Sequence, residues 1–223
     1  MLGLLPAPFA DRRQAGQVLA QKLRRYRDDR DVVVLGLPRG GVPVAYEVAR
    51  ALDAPLDVFV VRKLGMPGHE EFAMGAIATG GVTVMNPDLR DFHVPEAALE
   101  AVVARERAEL DRRERLYRGD RPPIALEGQT VIIVDDGLAT GSTMLAAATA
   151  VKGANPKAVV VAVPVGAPQT CQALRSHVDV VVCATTPEPF RAVGLWYRDF
   201  AQVDDAEVHA LLESRVRDDF PRS

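Results

Sequence analysis

The stretch VIIVDDGLATGSTM, residues 131–144, combines a strand, a turn and the start of a helix. The β-branched residues at its start are typical of a strand in a sheet, and STMLAAATAVK (142–152) has the composition of a helix. The turn between them follows the carboxyl end of the strand, where open α/β sheets bind their ligands. We therefore expect residues 135–141 to line a ligand site.

The second half of this turn suits a single phosphate group. Backbone N–H groups from Ala139 to Thr143 would point into the turn at the positive end of the helix, which is a common binding site for anions. Gly141 would let the backbone approach such a ligand, because glycine has no Cβ. Additional donors are the hydroxyl groups of Thr140, Ser142 and Thr143.

Two adjacent carboxylates, Asp135 and Asp136, come one step earlier, at the tip of the strand. Carboxylates repel phosphate but accept hydrogen bonds from hydroxyl groups, so a ligand with both a sugar diol and a phosphate would suit this turn. The same residues argue against three other sites. A Walker A loop needs lysine where Ser142 follows Gly141, a dinucleotide fingerprint needs G-x-G-x-x-G, and an aspartyl phosphatase has its two acids one residue apart.

Composition and charge are those of an ordinary globular protein. The 223 residues suffice for one domain with additions, or at most two, and the net charge of −3 gives no support for binding to nucleic acid or a membrane surface. The N-terminal MLGLLPAPF is short and lacks basic residues, so we expect neither a signal peptide nor a membrane span. Cys171 and Cys183 have no metal-binding or redox spacing. We therefore expect a cytoplasmic protein with reduced cysteines.

Five apolar runs rich in β-branched residues predict the strands. They are continuous rather than alternating, which is typical of strands buried on both faces of a parallel sheet. Helical stretches separate most of them, which favours an α/β fold with an open, mostly parallel, twisted sheet and helices on both faces. The predicted strands are VVVLG (32–36), LDVFVV (56–61), VIIV (131–134), VVVAV (159–163) and VDVVV (178–182), and the helices between them are 42–52, 142–152 and 168–176.

Three further helices are predicted outside this alternation. Residues 11–27 have an amphipathic pattern that Asp11 could cap, and residues 205–214 also have a helical pattern. Residues 95–118 predict a long charged helix with a thin apolar stripe. This long helix is either a solvated helix with a narrow docking face or a contact between two subunits of a dimer.

The order of strand, paired aspartates and A-T-G-S-T (139–143) resembles the loop that binds 5-phosphoribosyl-1-pyrophosphate (PRPP) in type I phosphoribosyltransferases. The resemblance implies a single phosphoribosyltransferase-like domain over residues 1–223 with a small hood. It also implies that Asp135 and Asp136 hold the ribose hydroxyls and that the A-T-G-S-T segment holds the 5′-phosphate. The implied PRPP-binding residues are Asp135, Asp136, Gly137, Leu138, Ala139, Thr140, Gly141, Ser142 and Thr143.

A second strand, turn and helix, VVVLGLPRGGVPVA (32–45), offers groups for the pyrophosphate of PRPP. Arg39 lies in the turn beside two glycines, and a guanidinium with backbone N–H groups suits a diphosphate. The segment resembles the pyrophosphate loop of the family. Arg62 and Lys63 end the predicted strand 56–61, so we expect two more cations to project from the same sheet edge. The residues expected to bind pyrophosphate are Pro38, Arg39, Gly40, Gly41, Arg62 and Lys63.

The glycine-rich stretch VVRKLGMPGHEEFAMGAIATGG (60–81) resembles the mobile hood with which the family covers bound PRPP, here residues 62–81, and its RKLGMPG is similar to adenine phosphoribosyltransferases. The alternative is a surface hairpin with a flexible tip. Enzymes for 6-oxopurines have an aspartate where this chain has Ala139, whereas adenine enzymes also have alanine and take a glutamate from the hood as general base. Glu70 or Glu71 would fill that role, unless both are ordinary solvated charges.

The stretch FRAVGLWYRDF (190–200) contains three kinds of aromatic residue and resembles the base-binding end of hypoxanthine-guanine phosphoribosyltransferases. The resemblance implies that an aromatic side chain, Phe190 or Trp196, stacks on the base. Asp199 would face the pyrophosphate and is a weaker candidate metal ligand. The alternative is aromatic packing in the core or at a dimer interface. The residues implied at the base site, within the segment 185–214, are Phe190, Val193 and Trp196.

Together these features predict a Mg²⁺-dependent phosphoribosyltransferase that transfers the 5-phosphoribosyl group from PRPP to a nitrogenous base, with an adenine-like purine favoured, and releases pyrophosphate. Mg²⁺ would bridge oxygens of PRPP and contact Asp135 or Asp136 directly or through water. The resemblance also implies a homodimer and a role in nucleotide salvage. Two alternatives are open: a regulator that binds PRPP without turnover, and an enzyme whose acceptor is not a nucleobase. The expected catalytic residues are Asp135, Asp136, Arg39, Lys63, Glu70 and Glu71.

Overall fold

The computed structural model describes the backbone of residues 8–67, 69–85 and 95–219, and their side chains apart from those of 70–72 and 216–219. The strands are β1 (Val32–Gly36), β2 (Leu56–Val58), β3 (Val61–Met66), β4 (His69–Ala78), β5 (Val82–Met85), β6 (Thr130–Val134), β7 (Ala158–Val165) and β8 (Val180–Thr185). The helices are α1 (Arg12–Lys22), α2 (Gly41–Leu52), α3 (Glu96–Arg118), α4 (Ser142–Lys152), α5 (Pro168–Leu174) and α6 (Asp205–Asp219).

Five parallel strands form the central sheet, in the order β2-β1-β6-β7-β8. β1 and β6 lie side by side, with Gly36 opposite Val134 at their carboxyl ends. The strand order reverses between these two, because β2 lies on the far side of β1 while β7 and β8 continue beyond β6. Open α/β sheets bind ligands at such a switch point. This sheet confirms the predicted fold class.

Both faces of the central sheet are buried, as the continuous apolar runs predicted. Val32 and Val34 of β1 belong to a core cluster on one face, to which α1, α2, α3 and α6 contribute side chains. Val33 and Leu35 belong to the cluster on the other face, to which α4 and α5 contribute. Helices on both faces are therefore confirmed, and the polar strand-to-helix turns are left at the edge of the sheet.

The predicted strand 56–61 is divided between two sheets. β2 ends at Val58, and β3 begins at Val61 in a separate antiparallel sheet of order β3-β4-β5. The change of partner occurs at Val60, whose N–H donates to the hydroxyl of Thr79, just beyond β4, at 2.9 Å. The prediction of one strand was wrong because an apolar run does not by itself reveal a change of sheet.

Arg62 and Lys63 therefore lie at the start of β3 and not at the carboxyl end of a parallel strand. Successive residues of a strand point to opposite faces. Arg62 forms an ion pair with Glu106 of α3, whereas Lys63 faces a groove beside α4. The expectation that both cations project from one sheet edge was wrong. Closure of the hood, residues 62–81, stays a prediction.

The long charged helix forms as α3, Glu96–Arg118. It packs against β3 and α6 through a narrow face. Its buried apolar residues are Val102, Leu110 and Tyr117. The hydroxyl of Tyr117 donates to Asp205 of α6 at 2.8 Å, and burial together with this bond raises the pKa of the tyrosine to about 12. The narrow docking face is present as predicted, and a dimer contact on the remaining surface stays a prediction.

Two other predicted helices form with different ends. Asp11 caps α1 as expected, because its carboxylate accepts the N–H of Gln14 at 2.7 Å, but α1 ends at Lys22 instead of residue 27. α6 extends to Asp219, beyond the predicted end at residue 214. None of the helices in the described ranges combines the length and the apolar character needed to cross a membrane.

A disulfide joins Cys171 on α5 to Cys183 on β8. The expectation of reduced cysteines, made from spacing alone, is not met. The physical reason is tertiary packing: α5 lies against β8, so two residues that are 12 positions apart meet in the core beside the turn after β7.

Candidate active site

The turns that follow β1 and β6 are in direct contact. The N–H of Leu37 donates to the carbonyl oxygen of Val134 at 2.9 Å. A Cβ on Gly41 would lie 2.7 Å from that same oxygen, and a Cβ on Gly40 would overlap the carboxylate of Asp136, so both positions need glycine. The two turns singled out in the sequence therefore form one continuous site at the switch point of the sheet.

The turn after β6 is anchored by the buried residue Leu138, and the residue that follows is exposed. The N–H of Leu138 donates to the carbonyl oxygen of Val165 at 2.9 Å, and its own carbonyl oxygen accepts the N–H of Ala167 at 2.8 Å. The hydroxyl of Thr170 on α5 donates to the carbonyl oxygen of Ala139 at 2.6 Å. Leu138 is buried and Ala139 is exposed. Leu138 therefore holds the turn in place, while the chain after it faces solvent.

Helix α4 begins directly after this turn, and no side chain caps its first N–H groups. Gly141 is the N-cap residue and has a φ of 78°, in the left-handed region that favours glycine. The hydroxyl oxygens of Thr140 and Ser142 lie 3.4 Å apart on the exposed surface. Backbone N–H groups, two hydroxyls and the positive end of the helix can together bind one phosphate group.

Asp135 and Asp136 stand beside this phosphate site and are partly buried. The N–H of Asp136 donates to Asp135 Oδ1 at 2.8 Å. Burial raises the pKa of Asp135 well above its ordinary value, and the neighbouring charge of Asp136 adds to this shift. Burial also raises the pKa of Asp136, while the charge of Arg12 opposes that shift. Partly desolvated carboxylates gain from accepting hydrogen bonds from hydroxyl groups, which suits a diol.

Two residues with no recognisable motif in the sequence contact Asp136. Arg12 Nε lies 2.9 Å from Asp136 Oδ2, and Arg12 Nη1 donates to the carbonyl oxygen of Ala201 at 2.7 Å. The hydroxyl of Tyr197 donates to the backbone carbonyl oxygen of Asp136. Burial raises the pKa of Tyr197, so this hydroxyl stays protonated as a donor. Arg12 and Tyr197 are 124 and 61 positions away from Asp136, so no local motif could have revealed them.

The three cations predicted for the site are in different situations. The peptide bond between Pro38 and Arg39 is cis, and within the described ranges the guanidinium of Arg39 has neither a hydrogen-bond nor an ion-pair partner. Arg62 donates to Glu106 Oε2 through Nε at 2.9 Å and through Nη2 at 2.6 Å. Lys63 is exposed and lines a groove of about 570 Å³ beside the N-terminus of α4. Arg39 and Lys63 are available for an anion, whereas the charge of Arg62 is neutralised by a buried carboxylate.

A family model for the phosphoribosyl transferase domain matches residues 11–195, a range that contains both turns and Arg12. This chain belongs to the phosphoribosyl transferase domain family. Two relatives from Mycobacterium tuberculosis, from strains CDC 1551 / Oshkosh and ATCC 25618 / H37Rv, are each 48% identical over 211 residues, and their names describe them provisionally as phosphoribosyl transferases. Each match covers 94% of this chain and 47% of the relative, so the chain spans about half the length of these curated relatives.

A solved structure shares the whole fold. The crystal structure of TT1426 from Thermus thermophilus is 46% identical in sequence and superposes with a TM-score of 0.82. The likeness covers 93% of this chain and 98% of that chain. The likeness to TT1426 therefore extends over the entire architecture and not only over the two turns.

The segment that resembles a phosphoribosyltransferase base site lies directly on the turn after β6. Phe190, Val193 and Trp196 belong to one small apolar cluster. Val193 packs so closely on Gly137 that a Cβ there would overlap it. Trp196 is 9% exposed, so its ring is largely used in packing, while Phe190 and Val193 are only partly buried. Asp199 is exposed, and its carboxylate accepts the N–H of Ala201 at 2.9 Å.

The resemblance implies a general base in the hood. Glu70 and Glu71 were the candidates, and their side chains lie outside the described residues. Their role therefore stays a prediction. His69, the neighbouring residue, begins β4 and is exposed.

The magnesium ion that the family implies would meet two carboxylates in the turn after β6, Asp135 and Asp136. In the part of the chain that the structure describes, no three residues of the types His, Cys, Asp and Glu are grouped to hold an ion. Mg²⁺ is usually bound by one or two carboxylates together with substrate phosphates and water. The residues present fit an ion of this kind, with Asp135 and Asp136 as the oxygen donors.

Proposed function

We propose that the protein is a Mg²⁺-dependent phosphoribosyltransferase that transfers the 5-phosphoribosyl group from PRPP to a nitrogenous base and releases pyrophosphate. One observation carries the proposal: the glycine turn with Arg39 touches the turn that holds Asp135, Asp136 and the phosphate site of α4. A diphosphate site, a diol site and a monophosphate site then follow one another along one edge of the sheet. PRPP has the same three groups in the same order.

The proposed reaction is a displacement at C1 of the ribose. A ring nitrogen of the base forms the new bond to C1, and the bond from C1 to the pyrophosphate oxygen breaks, with its electron pair leaving on that oxygen. Asp135 and Asp136 accept hydrogen bonds from the ribose hydroxyls and hold the ring in place. The guanidinium of Arg39 stabilises the negative charge on the leaving oxygens. Mg²⁺, when bound, supplies further positive charge to the pyrophosphate.

The acceptor we propose is a purine of the adenine type. The proposal rests on Ala139, because the resemblance implies an aspartate at this position in enzymes for 6-oxopurines. Glu70 or Glu71 of the hood would accept the proton that leaves the attacking nitrogen. Closure of the hood over the site would exclude water from the reactive ribosyl centre. The resemblance also leads us to propose a homodimer that acts in nucleotide salvage in the cytoplasm.

The test is an activity assay on the purified chain. We would incubate it with PRPP, Mg²⁺ and a mixture of purine and pyrimidine bases, and search by mass spectrometry for a nucleoside monophosphate and pyrophosphate. We expect both products, with adenine as the base consumed. Arg39→Gln should reduce the rate about 100-fold, because an electrostatic contact to developing charge is lost.

A matched control is Arg27→Gln, an exposed arginine after α1, which should leave the rate unchanged. Absence of any nucleotide from protein with a cooperative melting transition would overturn the proposed reaction with a base. PRPP binding without turnover would then support a regulator, and product formation with a guanine or hypoxanthine base would overturn the adenine-type acceptor.

A further inference from the structure

Arg12 is the first residue of α1, yet its guanidinium lies at the ligand edge of the sheet. Its Nε is 2.9 Å from Asp136 Oδ2, and 12% of its side chain is exposed. A Cβ on Gly40 would lie 3.2 Å from that same nitrogen. The guanidinium is therefore at the junction of the proposed pyrophosphate turn and PRPP loop, although Arg12 belongs to the N-terminal segment.

The position of this guanidinium is held by the C-terminal segment. Arg12 Nη1 donates to the carbonyl oxygen of Ala201 at 2.7 Å, and the guanidinium carbon lies 3.9 Å from the centre of the Phe200 ring. A cation over an aromatic face is attracted by the ring. The ring of Phe200 in turn packs on Tyr197, with centroids 4.9 Å apart. The guanidinium of Arg12 is thus held by two contacts in addition to its ion pair with Asp136.

Backbone pairing ties the two ends of the chain together at this point. The N–H of Phe9 donates to the carbonyl oxygen of Trp196 at 2.8 Å, and the carbonyl oxygen of Phe9 accepts the N–H of Arg198 at 2.8 Å. The N–H of Asp199 donates to the carbonyl oxygen of Ala10 at 2.9 Å. The segment before α1 and the segment after Val193 therefore form one unit that presents both Arg12 and the hydroxyl of Tyr197 to Asp136.

Asp136 keeps acceptor capacity for a ligand despite this contact. Across the described ranges, Arg12 is the only residue besides Asp136 itself that donates a hydrogen bond to the Asp136 carboxylate, and its Nε donates to Oδ2. An ionised carboxylate has about four acceptor positions on its two oxygens. Arg12 fixes one oxygen and leaves the other carboxylate oxygen for hydroxyl groups.

We propose that Arg12 is a positioning residue that holds the carboxylate of Asp136 in the orientation required by the ribose diol of PRPP. The proposal rests on the function proposed above. It makes the N-terminal segment part of the PRPP site, and it assigns Arg12 to the diol and not to the phosphates. The hydrogen bond that Arg12 donates to Ala201 and its stacking on Phe200 keep the guanidinium in this place.

The experiment compares two ligands by isothermal titration calorimetry in the presence of Mg²⁺: PRPP, which has the diol, and inorganic pyrophosphate, which lacks it. Arg12→Met should bind PRPP about 10-fold more weakly than the wild type, the usual effect of removing one hydrogen-bonded charge. Its affinity for pyrophosphate should be unchanged. Arg13→Met is the matched control, because Arg13 is the next residue, has a side chain that is 72% exposed and pairs with Glu47; it should bind both ligands like the wild type.

Arg12→Lys adds a conservative test and keeps the charge if Arg12→Met does not fold. A lysine cannot bond Asp136 and Ala201 together in the planar geometry of a guanidinium, so its PRPP affinity should fall between those of the wild type and Arg12→Met. Equal affinity of the wild type and Arg12→Lys would overturn the assignment when Arg12→Met is unfolded.

The possible results distinguish a wrong role for Arg12 from a wrong proposed function. A wild type that does not bind PRPP overturns both. A wild type that binds PRPP together with a folded Arg12→Met of equal affinity overturns the role of Arg12 alone. Equal weakening of PRPP and pyrophosphate in Arg12→Met also overturns it, because a residue that acts through the diol carboxylate should not affect a ligand without a diol.

Discussion

An aspartate is paired with a distant arginine both at β2 and just after β6 of the central sheet. The two pairs differ in how many acceptor positions of the aspartate are filled. At β2, both oxygens of Asp57 accept Arg118 Nε, at 2.8 and 3.0 Å, and the same carboxylate accepts the N–H of Ile124. Both charged side chains are buried. At β6, Asp136 meets Arg12 through a single oxygen and remains partly exposed.

The difference indicates which carboxylate serves the fold and which serves a ligand. Around Asp57 the acceptor positions are filled, and Arg118 also donates to the carbonyl oxygen of Val58 at 2.7 Å, so the pair locks β2 to the end of α3. Around Asp136 the acceptor positions are only partly filled, and 16% of its side chain is exposed. Breaking a fully buried pair leaves an uncompensated charge in the core and is strongly destabilising. The free acceptor positions of Asp136 can instead be filled by a ligand.

The largest effect on stability should come from breaking the closed pair. Arg118→Met leaves Asp57 as an uncompensated buried charge, and we expect the free energy of unfolding to fall by about 3–5 kcal/mol. Urea unfolding of the two proteins measures this. Adding Asp57→Asn should recover part of the loss, because the buried charge is then removed. Arg115→Met, three positions earlier and exposed, is the matched control and should change stability little.

One result would contradict this prediction directly. If Arg118→Met unfolds at the same urea concentration as Arg115→Met, the closed pair does not stabilise the link between β2 and α3. The contrast between the two aspartates would then not separate structure from ligand binding.

The largest effect on binding should come from the two carboxylates after β6, Asp135 and Asp136. The double variant Asp135→Asn, Asp136→Asn keeps the shape of both side chains but removes both negative charges. We expect its affinity for PRPP to fall at least about 100-fold, because charged acceptors of the diol hydrogen bonds are lost, while the circular dichroism spectrum stays unchanged. Titration calorimetry with Mg²⁺ measures the affinity. Asp120→Asn, in the exposed turn after α3, is the control. Unchanged affinity in the double variant would remove the diol site from these residues.

The same two regions show why some features could be predicted from the sequence. β1 and α4 have the predicted limits, 32–36 and 142–152, because strand composition, the glycine turn and helix composition act within a few residues of each other. Neighbouring parallel strands bring their carboxyl-end turns together, so the contact between the two turns also follows from the predicted sheet. The two turns of the site can therefore be predicted from short stretches of sequence.

The features that could not be predicted depend on contacts between distant segments. Arg12 reaches Asp136 across 124 positions, and nothing in the sequence around it distinguishes it from Arg13. Arg62 was expected to bind pyrophosphate, yet Glu106 of α3 is its partner, which no strand or turn pattern could reveal. The same limit explains the disulfide between α5 and β8, since a pairing over such a distance is decided by packing.

The smallest effect should appear in the stability of the substrate-free protein, and it concerns Asp135. Its pKa in the folded protein is raised well above its ordinary value by burial and by the charge of Asp136. The folded protein therefore keeps this proton at pH values where the unfolded chain has lost it. The resulting stabilisation is fully present below the unfolded pKa of about 3.9 and is lost as the pH rises through the folded pKa. Ionised Asp135 thus lowers the stability of the fold at neutral pH.

Asp135→Asn should remove this loss, because the amide oxygen can still accept the N–H of Asp136 but cannot ionise. We expect the melting temperature of the variant at pH 7, in buffer without Mg²⁺ and PRPP, to exceed that of the wild type by a few degrees, since about 1 kcal/mol corresponds to roughly 2–4 °C in a domain of this size. Near pH 4 the two should converge. Asp120→Asn should follow the wild type throughout. A difference in melting temperature that is constant across the pH range would indicate altered packing instead of titration. Ionised Asp135 would then not lower the stability of the fold, and the idea that stability is lost here in favour of ligand binding would be wrong.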